Sequence, residues 1–158
     1  MQHVVGIAQM KLSTSAVDTL VTHALGSCLG VTLHDRVAGV GGLIHIMLPT
    51  SKIDRVKAEQ KPCMFVDTGI PAMFRQAYQL GAQKENMEIK VAGGAAVLDG
   101  NSHFRIGERN YTMLRKLLWK NNVLIAAEDV GGKASRTLIL ELGTGTVKVR
   151  VNGQAREL

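Results

Sequence analysis

The sequence contains few aromatic residues and no long apolar run, and these absences narrow the classes to which the protein can belong. Aromatic residues make up 4% of the chain, which leaves few side chains for the base stacking used in single-stranded nucleic-acid binding. The most apolar stretch, residues 37–48, is interrupted by glycines and by His45, and it is too short to span a bilayer. The segment from Met1 to Val5 does not join a basic region to an apolar run, so we expect no secretory signal and a cytoplasmic protein.

The chain also lacks the patterns of common metal and cofactor sites. Its two cysteines, Cys28 and Cys63, form no Cys-x-x-Cys pair, and its five histidines show no paired ligand spacing. Neither of the glycine-rich phosphate-binding motifs occurs, and turns explain the glycine clusters better. We therefore expect no metal and no cofactor. Cys63, in a loop that leads into a helix, is interpreted as an ordinary free thiol, because disulfides are rare in a reducing compartment.

Basic residues are concentrated in the carboxy-terminal third of the chain. The net charge is +6, yet residues 1–50 carry two basic and two acidic side chains, whereas residues 101–158 carry ten basic and five acidic ones. Such a field attracts an acidic protein partner or a polyanion. Only Tyr111 and Trp119 lie near the basic residues, and no reading helix is recognisable. We therefore interpret the charge as a solvated helix face and expect no nucleic-acid partner.

Apolar periodicity predicts one α+β domain over residues 1–158. A helix is expected over residues 67–80 and a second from about residue 110 to 121, each with an apolar stripe at three- and four-residue spacing. The first stripe consists of Ile70, Met73, Phe74, Ala77 and Leu80, and the second of Tyr111, Leu114, Leu117 and Leu118. Residues 51–60 are expected to be a short helix or a loop. Strands are predicted at residues 4–12, 18–25, 28–34, 40–48, 87–92, 123–128, 136–142 and 146–151.

Two consecutive strands form a predicted β-hairpin that brings a cysteine and a histidine together. If Asp35 pairs with Val40 across the turn, the antiparallel register places Gly30 opposite His45. Cys28 and His45 then share one face of the hairpin as diagonal neighbours, and Gly30 is expected to leave the space beside them open. A shift of one residue in the register would move His45 to the other face.

A cysteine beside a histidine has a recognised chemical use. The thiolate is the nucleophilic form, and a nearby imidazole lowers the pKa of the thiol and later protonates a leaving group. Ser27, next to Cys28, has no stronger claim to be the nucleophile, since the chain has no Gly-x-Ser-x-Gly motif. Spacing alone leaves an alternative open, in which Cys28 is a small buried apolar residue and His45 a hydrogen-bonded core residue.

Five short segments form a specific signature when they are taken in order. They are residues 22–28 (THALGSC), 41–49 (GGLIHIMLP), 93–95 (GGA), 106–110 (IGERN) and 129–132 (DVGG). Each segment alone is weak evidence, but together they span nearly the whole chain. In this order they resemble the CheD family, the chemoreceptor glutamine deamidases of bacterial and archaeal chemotaxis.

The resemblance implies a catalytic set composed of Cys28, His45 and Thr22, in which Thr22 fixes the tautomer of the imidazole through a hydrogen bond. Backbone N–H groups around Gly26, Ser27 and Cys28 are candidate donors to the oxyanion of the reaction. The implied fold is a layered α/β/β sandwich with mixed, largely antiparallel sheets, similar to the catalytic domains of bacterial toxins that deamidate glutamine. One departure concerns Val91 and Ala92, which stand where the family often has a lysine and an aromatic residue.

The resemblance also implies a reaction and partners. The protein would convert glutamine side chains of methyl-accepting chemotaxis receptors to glutamate through a cysteine thioester, and the same chemistry would hydrolyse glutamyl methyl esters. The substrate would be the helical cytoplasmic domain of a chemoreceptor. A second hypothesis is a regulatory binding module that stimulates the chemotaxis phosphatase CheC.

Overall fold

The computed structural model describes residues 1–96 and 105–158. The strands are β1 (Gln2–Val4), β2 (Met10–Ser13), β3 (Thr19–Leu25), β4 (Leu29–Asp35), β5 (Val40–Ile46), β6 (Met87–Gly93), β7 (Ile125–Val130), β8 (Arg136–Glu141), β9 (Val147–Val151) and β10 (Gln154–Glu157). The α-helices are α1 (Arg55–Gln60), α2 (Val66–Gln79) and α3 (Ile106–Lys120), and short 3₁₀ turns cover Ser51–Ile53, Pro62–Met64 and Lys84–Asn86. Within the described residues, no helix has the length and apolarity needed to span a membrane.

The strands form two five-stranded sheets. The outer sheet has the order β1-β3-β8-β9-β10, and the central sheet has the order β2-β5-β4-β6-β7. Neighbouring strands run antiparallel except for β1 with β3 and β6 with β7, which are parallel. The predicted α+β class with mixed, largely antiparallel sheets is therefore confirmed.

The central sheet is the middle one of three layers. Leu29, Val31 and Leu33 on one face pack with residues of α2 and α3 in an apolar core. Leu43 and Ala92 on the opposite face pack against the outer sheet. Every residue of β4 and β5 is buried, because successive side chains of a strand point to opposite faces and both faces of the central sheet are covered. The layers therefore follow the order helices, central sheet, outer sheet.

The predicted hairpin register is confirmed. Asp35 pairs with Val40, and Gly30 pairs with His45. The carboxylate of Asp35 accepts the backbone N–H of Ala38 at 2.9 Å, which closes the loop. This register places His45 on the face of β5 that looks toward the outer sheet.

The immediate surroundings of the hairpin differ from the prediction at two points. Strand β4 begins at Leu29, so Cys28 precedes the strand instead of starting it. The expectation of open space beside Gly30 is wrong, because a Cβ atom at this position would lie only 2.8 Å from side-chain atoms of Leu25 and Leu138. The missing side chain of Gly30 therefore allows the two sheets to pack closely.

The amino-terminal strand prediction is also corrected. The single strand expected over residues 4–12 is two strands, β1 in the outer sheet and β2 in the central sheet. Ala8 lies between them with φ of 60°, a conformation that non-glycine residues adopt infrequently. The chain passes between sheets at this point. Strand β10 was not predicted, because its four residues are all exposed and give no alternating apolar pattern.

The helix predictions hold with local corrections. The apolar stripe of α2 ends at Ala77, because Leu80 lies outside the helix and is 41% exposed. Asp67 does not cap its own helix, and its carboxylate accepts the backbone N–H of Ser51 at 2.8 Å instead. Helix α3 begins at Ile106, four residues earlier than expected. Residues 51–60 form a 3₁₀ turn followed by α1, within the range predicted.

Candidate active site

Cys28 lies in a bend between β3 and β4 that the loop after β6 holds in place. The N–H of Gly94 donates to the carbonyl of Cys28 at 2.9 Å, and the N–H of Ala95 donates to the carbonyl of Gly26 at 2.8 Å. A Cβ atom at Gly93 would overlap the carbonyl oxygen of Cys28, so only glycine permits this approach. The half-buried side chain of Cys28 packs against the core between the two sheets.

His45 and Thr22 meet in the same inter-sheet layer, one from each sheet. Oγ1 of Thr22 lies 2.7 Å from Nδ1 of His45 and 2.7 Å from the carbonyl oxygen of Val5. The hydroxyl donates its single proton to the Val5 carbonyl, so it accepts a hydrogen bond from His45. Nδ1 of His45 therefore carries the ring proton, and Nε2 is left with a free lone pair.

Burial keeps both reactive groups neutral at rest. Nε2 of His45 is buried and has no hydrogen-bond partner among residues 1–96 and 105–158. Burial lowers the pKa of His45 below its ordinary value. Burial also raises the pKa of the Cys28 thiol. The expectation that the imidazole lowers the pKa of the thiol is therefore wrong for this state, since no hydrogen bond joins the two groups within the described residues.

The structure thus brings the predicted site residues to one region, but with unequal contacts. Thr22 touches His45 directly. Cys28 lies two residues before Gly30, which is the pairing partner of His45. Among the predicted oxyanion donors, the N–H of Gly26 already donates to the carbonyl of Ala24 at 3.0 Å.

Asn110 is a buried neighbour of the site that sequence reasoning did not select. Its side chain is fully buried on the first turns of α3. Nδ2 donates to the carbonyl oxygens of Ser27 and Met47, both at 3.0 Å. The available signal was a polar residue in the apolar stripe, four residues before Leu114.

Arg136 is a second residue that sequence reasoning missed. Its guanidinium is almost completely buried and pairs with Asp129 at 3.1 Å. It also donates to the carbonyls of Gly93 and Gly131, at 3.3 and 2.8 Å. Since Gly93 touches the carbonyl of Cys28, Arg136 and Asp129 support the loop that holds the cysteine in place. The partner of Arg136, Asp129, opens the segment at residues 129–132, which the sequence analysis used only for the family resemblance.

The departure from the family pattern at residues 91 and 92 lies inside the protein. Val91 and Ala92 are fully buried, in the helix-side core and the inter-sheet core respectively. Neither side chain reaches the surface around the cysteine. Across the part of the chain that the structure describes, no three His, Cys, Asp or Glu side chains are grouped as metal ligands would be.

Comparison with protein families gives one match. The family described as CheD, chemotactic sensory transduction, matches residues 47–151. This range includes Asn110 and Arg136 but begins after Cys28 and His45. The segment that contains the predicted catalytic residues is therefore related to known proteins through full-length comparison instead.

Curated relatives cover nearly the whole chain. A protein of Syntrophus aciditrophicus (strain SB), named probable chemoreceptor glutamine deamidase CheD 1, is 51% identical over 150 residues, which are 95% of this chain and 94% of the relative. A protein of Solibacter usitatus (strain Ellin6076), named probable chemoreceptor glutamine deamidase CheD, is 43% identical and covers 99% of this chain and 93% of the relative. A relative from Pyrococcus horikoshii with the same name is 41% identical over 82% of this chain and 80% of its own length. The chain belongs to the CheD family.

Proposed function

We propose that the protein is a protein-glutamine deamidase that acts on the cytoplasmic helical domain of chemoreceptors. Its curated relatives are named as probable chemoreceptor glutamine deamidases. The observation that carries the proposal is the hydrogen bond between Thr22 and His45, which leaves Nε2 of the imidazole free to accept a proton. A buried imidazole with a fixed tautomer suits a general base better than a purely structural role, in which both ring nitrogens would be bonded.

The reaction begins with attack of Cys28 on the side-chain carboxamide of a glutamine. As the S–C bond forms, the thiol proton moves to Nε2 of His45 and the carbonyl π electrons collect on oxygen. The C=O bond then re-forms and the C–N bond breaks. The leaving nitrogen takes the proton from His45 and departs as ammonia, and a thioester remains on Cys28.

Hydrolysis of the thioester completes the cycle. A water molecule gives a proton to Nε2 of His45 and attacks the thioester carbon. The C–S bond breaks, the proton returns to the sulfur of Cys28, and glutamate is released. A glutamyl methyl ester presents the same acyl carbon with methanol as its leaving group, so the same residues would hydrolyse it.

The neutral resting state has a consequence for this mechanism. With the pKa of Cys28 raised and that of His45 lowered by burial, a preformed thiolate–imidazolium pair is disfavoured. Proton transfer from the thiol to His45 is therefore coupled to the arrival of the substrate, which also excludes water from the half-buried thiol. The free enzyme should react slowly with general alkylating agents at neutral pH.

The raised pKa of the Cys28 thiol also favours a second candidate function, a regulatory binding module with little turnover. A thiol whose pKa is raised and which has no hydrogen bond to the imidazole in the described residues is tolerated by a protein that only binds. In this alternative the surface around Cys28 contacts a helix of a CheC-type phosphatase, and the binding stimulates that phosphatase. Binding would then survive replacement of Cys28.

Mass spectrometry of a chemoreceptor cytoplasmic fragment tests the two candidates. The fragment is incubated with the wild type, with Cys28→Ala and with Cys63→Ala, the matched control at the other half-buried cysteine. We expect glutamine-to-glutamate conversion at particular sites with the wild type and with Cys63→Ala, and none with Cys28→Ala. Equal conversion by Cys28→Ala would exclude Cys28 as the nucleophile. No conversion by any form, with undiminished CheC binding by Cys28→Ala, would favour the regulatory module.

A further inference from the structure

Asn110 joins the two chain segments that carry the candidate nucleophile and base. Its Nδ2 donates to the carbonyl of Ser27, the residue before Cys28, and to the carbonyl of Met47, two residues after His45. Helix α3 contributes this side chain from more than 60 residues away along the chain. The contact is therefore a tertiary link between α3 and the open end of the β4–β5 hairpin.

The orientation of the amide follows from its partners. An NH₂ group carries two protons and satisfies two carbonyl oxygens, whereas the opposite orientation would place an oxygen against both. Oδ1 of Asn110 is buried and has no partner among the described residues. An unsatisfied buried acceptor is costly, so an apolar residue in the stripe of α3 would serve a purely structural role better.

Asn110 occupies the point at which the hairpin ladder ends. The last paired residues are Leu29 and Ile46. Continuing the register would pair Cys28 with Met47, but Cys28 lies in the bend before β4. The side-chain amide thus replaces the next step of the ladder, and it holds the Ser27 carbonyl without making Cys28 part of a regular strand.

Fixing this carbonyl also fixes the N–H of Cys28, which belongs to the same peptide unit. In a planar trans peptide, C=O and N–H point in opposite directions. With the Ser27 carbonyl directed at Asn110, the Cys28 N–H points away from α3. It has no hydrogen-bond acceptor on another residue within residues 1–96 and 105–158. This N–H lies beside the sulfur of its own residue. With no acceptor on another described residue, it is well placed to donate to the oxyanion that forms as the thiol adds.

We infer that Asn110 is a positioning residue that orients the Ser27–Cys28 peptide so that the Cys28 N–H stabilises the tetrahedral oxyanion. The inference rests on the proposed deamidation. Asn110 does not touch the reacting atoms in this scheme. Its effect is confined to steps in which negative charge develops on the substrate oxygen.

Replacing Asn110 by leucine tests this role, because leucine has a similar size and no donor. We expect kcat for deamidation of the receptor fragment to fall about 100-fold, the scale of losing an oxyanion donor, with little change in KM. Alkylation of Cys28 by iodoacetamide should proceed at the wild-type rate, since displacement of iodide generates no oxyanion. The control is Asn121→Leu at the carboxy-terminal cap of the same helix, where Nδ2 donates to the nearby Leu117 carbonyl.

The outcomes separate this inference from the proposed function. A wild type that deamidates no glutamine overturns the proposed function. An active wild type with equal kcat in Asn110→Leu overturns only the inference, as does a parallel fall of deamidation and alkylation, which indicates general disorder of the site. A selective fall in kcat, absent in Asn121→Leu, supports it.

A measurement on the wild type covers the case in which Asn110→Leu does not fold. A peptide with an aldehyde in place of the glutamine carboxamide adds the Cys28 thiol across its C=O bond, forming an S–C bond and a hydroxyl or alkoxide. We expect the amide proton of Cys28 to move downfield in the NMR spectrum of this adduct, as it donates to the new oxygen. An adduct that leaves this resonance unmoved overturns the inference.

Discussion

The two faces of the central sheet have different chemistry. The face toward α2 and α3 is covered by an apolar core that includes Met73, Leu114 and Phe74. The face toward the outer sheet buries Thr22 and His45 among apolar residues. Burying polar groups is costly unless they are hydrogen-bonded, so the apolar side chains of the helix-side core, Asn110 apart, contribute stability with little penalty. The inter-sheet layer is less stabilising, because it buries the imidazole of His45 in a fixed orientation. Substitutions in the inter-sheet layer should therefore change mainly activity, and substitutions in the helix-side core mainly stability.

His45→Gln is expected to cause the largest loss of activity with little change in stability. Without a general base, kcat/KM for deamidation should fall by about 100- to 10,000-fold. The variant should still fold, because the apolar residues around position 45 are unchanged. Peptide mapping of the receptor fragment gives the rate, and circular dichroism checks the fold. A folded variant with wild-type activity would remove His45 from the mechanism.

Met73→Ala should lower stability and leave activity unchanged. Met73 is fully buried in the helix-side core, and truncation of such a side chain costs about 2–5 kcal/mol of the free energy of unfolding. The activity of the folded fraction should remain at the wild-type level. Urea denaturation and rate measurements at low temperature check both statements. Met73→Leu, which conserves volume, serves as the control and should cost less than about 1.5 kcal/mol.

Thr22→Val tests the hydrogen bond between Thr22 and His45 in the inter-sheet layer. Valine keeps the shape of threonine but removes the hydrogen bonds to His45 and to the Val5 carbonyl. We expect kcat to fall about 10-fold, the equivalent of one lost hydrogen bond of about 1.4 kcal/mol, because the tautomer is no longer fixed. Thr22→Ser, which retains the hydroxyl, should stay near the wild-type rate. If both variants behave alike, the methyl group and not the hydroxyl matters.

The smallest effect concerns the pH dependence of stability. Burial lowers the pKa of His45 from its ordinary value of 6.5, so the unfolded chain takes up a proton that the folded protein resists. Stability should therefore decrease as the pH falls below about 6.5, by up to about 1.4 kcal/mol per pH unit from this residue. Denaturation curves of His45→Gln between pH 5 and 7 should lack this contribution. Identical pH profiles would indicate that folding does not lower the pKa of His45.

The sequence alone was sufficient to predict the hairpin and its register. Apolar residues alternate at Leu29, Val31 and Leu33, and a polar loop follows, so local patterning determined which residues face each other. Thr22 was selected only through the family resemblance, because a threonine in a strand is ordinarily a packing residue. Its contact with His45 depends on how one sheet lies on the other, which no local pattern encodes.

Local sequence patterns also could not identify the residues that support Cys28, because their contacts depend on tertiary packing. Asn110 reaches the Ser27 carbonyl across a sequence separation of 83 residues. Arg136 reaches Gly93 across 43 residues. In both cases a side chain bonds to a backbone carbonyl, and the identity of the residue that supplies the carbonyl leaves no trace in the sequence. The only sign in the sequence is a polar residue at a position where the apolar pattern predicts burial.

The hydrogen bond from Thr22 ends on a main-chain atom, the carbonyl of Val5. Substitutions at position 5 change the side chain but leave this acceptor in place, so Val5→Ile and Val5→Leu should preserve the tautomer of His45. Deleting the segment would remove it. The segment that follows β1 would thus belong to the proposed catalytic site, although side-chain mutagenesis would not detect it. On this proposal, a truncation through Val5 should abolish deamidation while every candidate catalytic side chain remains present.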